Sequence, residues 1–435
     1  MNPLISTDGP RRLVIVVRAD PVICGHSGEA RNLAEAALAR GFTEVRIVTW
    51  PIDTLIAAGL PLKPLDGIAP YSDGIVVERP EAVGDYKVPD GRFLAGLTGR
   101  LVELFTDGVP TLAMSLYLSP HTIAIDDAVR AARATGLPVN VTTVAEAVGS
   151  DVTNVVRSCV AENRFGAAAH VLSAYLGADV PVAVSDYTRR LIIEAAEAID
   201  AAHGTRFAPQ CIERVAISYP AINTAEFLDP DPFLIDTVLE RRGLQAGGYV
   251  LFLSRLARAK GVDDLIDGFA ASRACDGLRL VVAGNGPEAQ QLRDYAAASP
   301  AADRIVFFDD VDDDERSALM AACAAFALPT KPRPEFTETF GIALVEKMLA
   351  GGGPVITTET GGVGEAVGDT AMIVPVDDPA AIATALDEAM ALSEMEREAL
   401  AHLARNYAMQ FDRAFVLDRL LGRIEQPTLM EVPAA

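Results

Sequence analysis

Short apolar runs alternate with longer Ala/Leu-rich stretches along most of the chain. Residues 13–17 form a β-branched run of strand length, and residues 45–49 form a second. Between them a glycine-bearing loop at 19–28 leads into a predicted helix over 32–39, which Gly41 stops. Strand, helix and strand in that order make a βαβ unit, which demands a parallel sheet with helices on its faces. Further strands are predicted at 112–116, 138–142 and 182–185, with helices over 124–134 and from Asp186 onward. The segment 52–92 is rich in Pro and Gly and reads as an irregular flank of the sheet.

A second, independent alternation starts at 249–253 and continues through predicted strands at 278–283, 305–308, 325–328 and 354–357. The stretch AEFLDPDP at 225–232 has the composition of a linker. The fold class is therefore α/β, with two Rossmann-like, doubly wound parallel-sheet domains split near residues 220–230. Open parallel sheets bind ligands at the carboxyl ends of their strands, so two such domains are expected to face a cleft. By pattern alone the predicted helix over 413–424 fits either half.

Composition narrows the function. The chain has 435 residues, 50% of them hydrophobic and 22% charged, which excludes a disordered protein. Nowhere do about 18 apolar residues run without a charge, and the opening MNPLISTDGPRR lacks the basic-then-apolar layout of a signal peptide. A cytoplasmic protein without a transmembrane segment is expected. Lys and Arg total 37 against 60 Asp and Glu, a net charge of −23 that repels nucleic acid and anionic lipid. No basic amphipathic helix offers a membrane anchor. Lysine is scarce, occurring only at Lys63, Lys87, Lys260, Lys331 and Lys347. The cysteines, Cys24, Cys159, Cys211, Cys275 and Cys323, are scattered and include no C-x-x-C pair, which argues against a disulfide frame and a structural zinc site.

The chemistry concentrates in the second half. EFTETFGIALVEKMLAGGG at 335–353 carries a helical apolar stripe, with Thr337 and Thr339 as caps and a triple glycine as its stop. N–H groups near Thr339, Phe340 and Gly341 would then open a helix N-terminus suited to phosphate. Glu338 and Glu346, eight positions apart, would stand roughly 12 Å apart along a helix. That matches the span from sugar to ribose in a nucleotide sugar. In LSRLARAKGV at 253–262, Arg255 and Lys260 follow a strand and can converge on one anion, while Arg258 reads as solvated. Gly284-Asn285-Gly286 follows another strand and permits close backbone approach to a ligand, as does Gly361-Gly362. No P-loop, nucleophile elbow or clustered metal ligands appear. The acidic run DDVDDDE at 309–315 reads as a solvated loop and helix start, since it lacks the glycine and spacing of a calcium loop.

Taken in order, Ser254-Arg255 to Lys260-Gly261, the 283–287 glycine turn, Glu338-Thr-Phe-Gly to Glu346, and Gly361-Gly362 resemble the C-terminal domain of retaining GT-B-fold glycosyltransferases of family four. That group includes sucrose-phosphate synthases. Residues 184–190 and 219–223 are similar to the family's interdomain stretch. The resemblance implies an acceptor domain at 1–222, a donor domain at 223–410 and a helix at 411–435 crossing back to the first domain. It also implies a hexosyl transfer from a nucleotide diphosphate sugar, a UDP-sugar being favoured, to a small-molecule or sugar acceptor, without obligatory metal or cofactor. Arg255 and Lys260 would contact the diphosphate, Glu338 the sugar hydroxyls and Glu346 the ribose. Cys24-Gly25-His26-Ser27-Gly28 resembles the family's glycine loop near the phosphates. Where the family places a histidine after the strand matching 139–143, this chain has Thr142-Thr143-Val144-Ala145, so His26 and His121 are the candidates to supply it. Gly84-Asp85-Tyr86-Lys87 is a candidate shaper of the acceptor pocket. A nucleotide-sugar epimerase, a glycosyl phosphorylase and a non-catalytic sugar-nucleotide binder remain as alternatives. The base of the donor and the oligomeric state are not readable.

Overall fold

A computed structural model describes residues 11–65, 68–85, 91–274, 276–334 and 336–425; Tyr86, Lys87, Cys275 and Glu335 lie outside the described residues. The chain forms two compact units. Asn223–Asp412 is one, and the residues up to Ile222 together with those from Arg413 form the other.

The first unit is built on a seven-stranded parallel sheet. Its strands are β1 (Arg12–Val16), β2 (Glu44–Val48), β3 (Ile75–Glu78), β4 (Thr111–Leu116), β5 (Val141–Ala147), β6 (Val180–Ala183) and β7 (Ala216–Ile217), in the order β3-β2-β1-β4-β5-β6-β7. The order reverses between β1 and β4, and both strands are buried along their length. Their side chains alternate between two cores, as a pleated strand requires. Leu13 and Ile15 join Leu112, Met114 and the helix Gly25–Ala39, while Val14 and Val16 join Leu97, Leu101 and Phe105.

Three sequence expectations change here. The first helix starts at Gly25 rather than Asn32, so the expected glycine loop is the helix's opening turn. β5 begins at Val141, three residues later than expected. The segment 52–92 holds a short helix, Ile52–Ala57, and the edge strand β3. The helix Arg413–Glu425 belongs to the first unit, where Val416, Leu417 and Leu420 enter the Leu13 core and Asp418 pairs with Arg40 at 2.6 Å.

The second unit carries a six-stranded parallel sheet: β8 (Tyr249–Leu253), β9 (Arg279–Ala283), β10 (Ile305–Phe308), β11 (Ala325–Leu328), β12 (Val355–Thr357) and β13 (Met372–Ile373), ordered β10-β9-β8-β11-β12-β13. Its reversal lies between β8 and β11. The acidic run is less solvated than expected. Asp312 and Glu315 form a capping box at the start of the helix Asp313–Ala322. Glu315 is buried and paired with Arg241 and Arg242, each at 2.5 Å.

Candidate functional site

In the second unit every segment singled out by sequence leaves a strand at its carboxyl end. After β8 the chain turns through Ser254–Leu256 and a single 3₁₀ turn, Arg258–Lys260. Gly261, at φ +68°, then opens the helix Val262–Ala271. After β9 the glycine turn packs on that first loop, where Leu256 N–H donates to the Asn285 carbonyl at 2.9 Å, and on the end of β10, where Gly284 N–H donates to the Phe308 carbonyl at 2.8 Å. A Cβ on Gly284 would stand 2.0 Å from the Ser254 carbonyl oxygen, and one on Gly286 2.3 Å from that of Leu256. These two glycines are thus explained by loop-on-loop packing before any ligand is considered.

Glu338 precedes the helix instead of riding on it. The helix is Ile342–Ala350, and Gly341 at φ +108° is its cap, a left-handed conformation that a side chain resists. The cap is therefore neither Thr337 nor Thr339 as expected, Thr339 and Phe340 precede the helix, and the 12 Å helical spacing of Glu338 and Glu346 does not apply. Phe340 is buried, edge-on to Phe411 at 5.0 Å, so its side chain belongs to the core. The open backbone donors of the helix start are the N–H groups of Ile342 and Ala343. Among the described residues no acceptor takes them up.

The Glu338 backbone is pinned by the loop after β12. Its carbonyl accepts from Gly362 N–H at 2.9 Å, and a Cβ on Gly361 would lie 1.9 Å from that oxygen. Its carboxylate is 10% exposed and ion-pairs with Lys260 Nζ. Arg255 is exposed and has no ion pair among the described residues. Glu346 is buried within the helix, where burial raises its pKa, and Arg316 lies 3.4 Å from one oxygen. The structure thus joins Lys260 to Glu338, holds Glu346 on a separate cation and leaves Arg255 unpaired. Lys331 and Lys347 are interior: Lys331 pairs with Asp263 and Asp264, and Lys347 holds the Gly351 carbonyl.

In the first unit, His26 stands in the opening turn of its helix and His121 just beyond β4, on opposite sides of the strand-order reversal. Tyr117 lies between them, its ring 6.1 Å from His26 and 5.8 Å from His121, and the Arg18 guanidinium lies 5.2 Å from the same ring. Trp50 meets His121 at 5.0 Å. His121 is 1% exposed. Its Nδ1 donates to the Leu116 carbonyl at 3.0 Å, which leaves Nε2 as a lone pair, buried and without a partner. Burial pushes its pKa down to about 3; burial, then the charge of Arg18, pushes His26 down to about 4. Both rings are neutral at neutral pH. Gly25 and Gly28 are exposed. A Cβ on Gly28 would touch nothing within 4 Å, so packing does not require a glycine there.

Sequence reasoning missed the acids beside this cluster. Glu146, at the end of β5, is 1% exposed, and its carboxyl bonds that of Glu29, which is 3% exposed. Glu29 also accepts from Ala221 N–H at 3.3 Å. Burial pushes Glu29 up to about 7; burial and the charge of Glu29 hold Glu146 well above the ordinary range. Asp151, which takes four backbone N–H groups, is pushed by burial to about 6. The one available signal was a glutamate inside an apolar strand pattern.

All three acids bind protons more tightly folded than unfolded, so stability falls as pH rises, from 3.8 to about 6 through Asp151 and from 4.5 to about 7 through Glu29, with Glu146 adding its loss from 4.5 upward. Glu146→Gln supplies an amide donor to Glu29 without a shared proton. Its melting temperature at pH 8 should exceed the parent's by roughly 2–4 °C, the effect of about 1 kcal/mol in a unit of this size. The gain should vanish by pH 4. A variant that melts lower than the parent at pH 8 contradicts the shared proton.

Residues 243–407 match the family model described as glycosyl transferases group 1. The chain is similar to the GDP-mannose-dependent alpha-(1-6)-phosphatidylinositol monomannoside mannosyltransferase of Mycobacterium tuberculosis, at 32% identity over 44% of this chain and 46% of that protein. It is also similar to the D-inositol 3-phosphate glycosyltransferase of Salinispora tropica, at 31% identity over 47% of this chain and 44% of that protein. The chain thus spans about half the length of the curated relatives it matches. Among solved structures, Anabaena HepE in complex with UDP and glucose superposes with a TM-score of 0.68 at 18% identity, covering 95% of this chain and 99% of that one. Sucrose-phosphate synthase from Thermosynechococcus elongatus superposes with a TM-score of 0.65 at 18% identity, covering 95% and 98%. Both likenesses speak to fold. Within the second unit, residues 243–407 are thus similar to the group 1 glycosyl transferases, and the chain's two parallel sheets have the GT-B fold.

Proposed function

We propose that the protein is a retaining, metal-independent glycosyltransferase that moves a hexosyl unit from a nucleotide diphosphate sugar to a hydroxyl of a small-molecule or sugar acceptor in the cytoplasm. The observation that carries this reading is the Lys260–Glu338 pair, set with unpaired Arg255 at strand ends of one sheet inside the span that matches the family. Arg255 and Lys260 take the diphosphate and stabilise the charge that develops as it leaves. The N–H groups of Ile342 and Ala343 add fixed dipoles. Glu338 exchanges its ammonium partner for sugar hydroxyls, and Glu346 takes the ribose. In the first unit, the bare Nε2 of His121 accepts a hydrogen bond from a sugar hydroxyl, and Tyr117 and Trp50 offer rings for a sugar face. The leaving phosphate takes the acceptor's proton as the new bond forms on the face that the old one leaves.

The test begins with melting shifts against UDP-, GDP- and ADP-sugars, since a ligand stabilises by RT ln(1 + [L]/Kd). GDP-mannose stands beside the UDP-sugars because the mycobacterial relative is GDP-mannose-dependent. The donor that binds is then incubated alone, with phosphate, and with soluble polyols or lipid vesicles as acceptors. Transfer to a soluble polyol with retained anomeric configuration, unaffected by chelator, is the expected result. Consumption of donor alone, or only with phosphate, replaces this reading with an epimerase or a phosphorylase. Binding without turnover leaves a binding module, and the absence of any nucleotide-sugar shift ends the proposal.

A further inference from the structure

The acid assigned to the ribose does not stand alone. Arg316, on the helix Asp313–Ala322, places one guanidinium nitrogen, Nη2, 3.4 Å from Glu346 Oε1 and 3.2 Å from Glu226 Oε1. The same guanidinium lies 5.4 Å from the centre of the Phe227 ring, and its Nε lies 3.8 Å from Asp313. Glu226 ends a 3₁₀ turn, Thr224–Glu226, that is itself fixed by Thr224 donating to Asp412 at 2.6 Å. One arginine is thus held between two acids and an aromatic face, all within the second unit. The other oxygen of Glu346, Oε2, has no hydrogen bond among the described residues.

This arrangement solves a problem that burial creates. A carboxylate 11% exposed, with no cation nearby, would take up a proton or turn toward water, and then it would accept poorly from a diol. The geometry points to Arg316 as the positioning residue for the donor's ribose: it holds the Glu346 carboxylate in one rotamer, with Oε2 free to accept the ribose hydroxyls, and so makes the site select ribonucleotides over 2′-deoxyribonucleotides. Glu226 and Phe227 keep Arg316 from closing over both oxygens. The inference rests on the ribose role proposed for Glu346.

The experiment measures the dissociation constants of UDP and 2′-deoxy-UDP, or of GDP and 2′-deoxy-GDP, on the full chain. The parent should favour the ribonucleotide by at least ~10-fold, the loss of a hydrogen bond to a charged group. Arg316→Gln should bring that ratio below about 3. Arg316→Lys should restore most of the ratio. Should the Gln variant fail to fold, Arg316→Met keeps the stem against Phe227 and carries the same reading. An unchanged ratio in a folded Arg316→Gln or Arg316→Met protein overturns the inference. Glu346→Gln separates the two claims. If it abolishes the preference and the Arg316 variants do not, only the arginine's role falls. If it leaves the preference intact, the ribose reading of Glu346 falls with it.

Discussion

Lys260→Ala lowers turnover by at least ~100-fold, the scale for losing one electrostatic stabiliser of a developing charge. Arg255→Ala does the same with a smaller effect on folding. The contrast comes from where each cation sits. Lys260 neutralises a Glu338 carboxylate that is 10% exposed, so its removal also strands a largely buried charge, whereas Arg255 is exposed and unpaired. The Lys260→Ala protein should therefore melt lower than the parent, and Arg255→Ala should melt with it. Steady-state rates at saturating donor, taken on variants shown to be folded, check the claim. The double change Lys260→Ala with Glu338→Gln recovers stability without recovering rate. Near-parental turnover in both single variants removes the diphosphate role from the pair.

The largest expected loss of stability comes from Gly261→Ala. Gly261 sits at φ +68°, and an added Cβ would stand 1.9 Å from the Pro329 carbonyl oxygen and 3.0 Å from its carbon. Neither neighbour is the loose end of a side chain. Left-handed strain and a backbone clash together place the cost at roughly 3–5 kcal/mol. The melting temperature of the second unit should drop by about 10 °C. Gly28→Ala is the counterpart. With open space around it inside the helix Gly25–Ala39, alanine gains roughly 0.5–1 kcal/mol. A Gly261→Ala protein melting within about 2 °C of the parent contradicts the clash.

The second sheet was the more legible. Tyr249–Leu253 and Ala325–Leu328 are strands with the bounds their apolar runs suggest, because a central parallel strand buried on both faces needs an unbroken apolar run. The first sheet was harder where that rule fails. Pro138 and Val139 look like a strand's start, yet pairing begins at Val141, opposite Thr111. Gly25–Arg31 has no apolar period, so its helical turn was invisible, although the turn's far end is buried through Glu29 and Ala30. Within the site, residue types and order identified Arg255, Lys260, Glu338 and Glu346, but not their pairing. The helix that seemed to carry both acids is interrupted at Gly341, whose positive φ no residue count reveals. Arg316, Trp50, Tyr117 and the Glu29–Glu146 contact come from segments far apart in sequence, and tertiary packing alone brings them together.

The helix Arg413–Glu425 sets the order in which this chain can finish folding. Its Val416, Leu417 and Leu420 are part of the Leu13 core, so the first unit's interior closes only after residues made later than the whole second unit. Asn223–Asp412 is contiguous and needs no such wait. A nascent chain halted at residue 412 would carry a complete second unit behind a first unit whose apolar core lacks one of its covering helices, the kind of exposed surface that aggregates during folding.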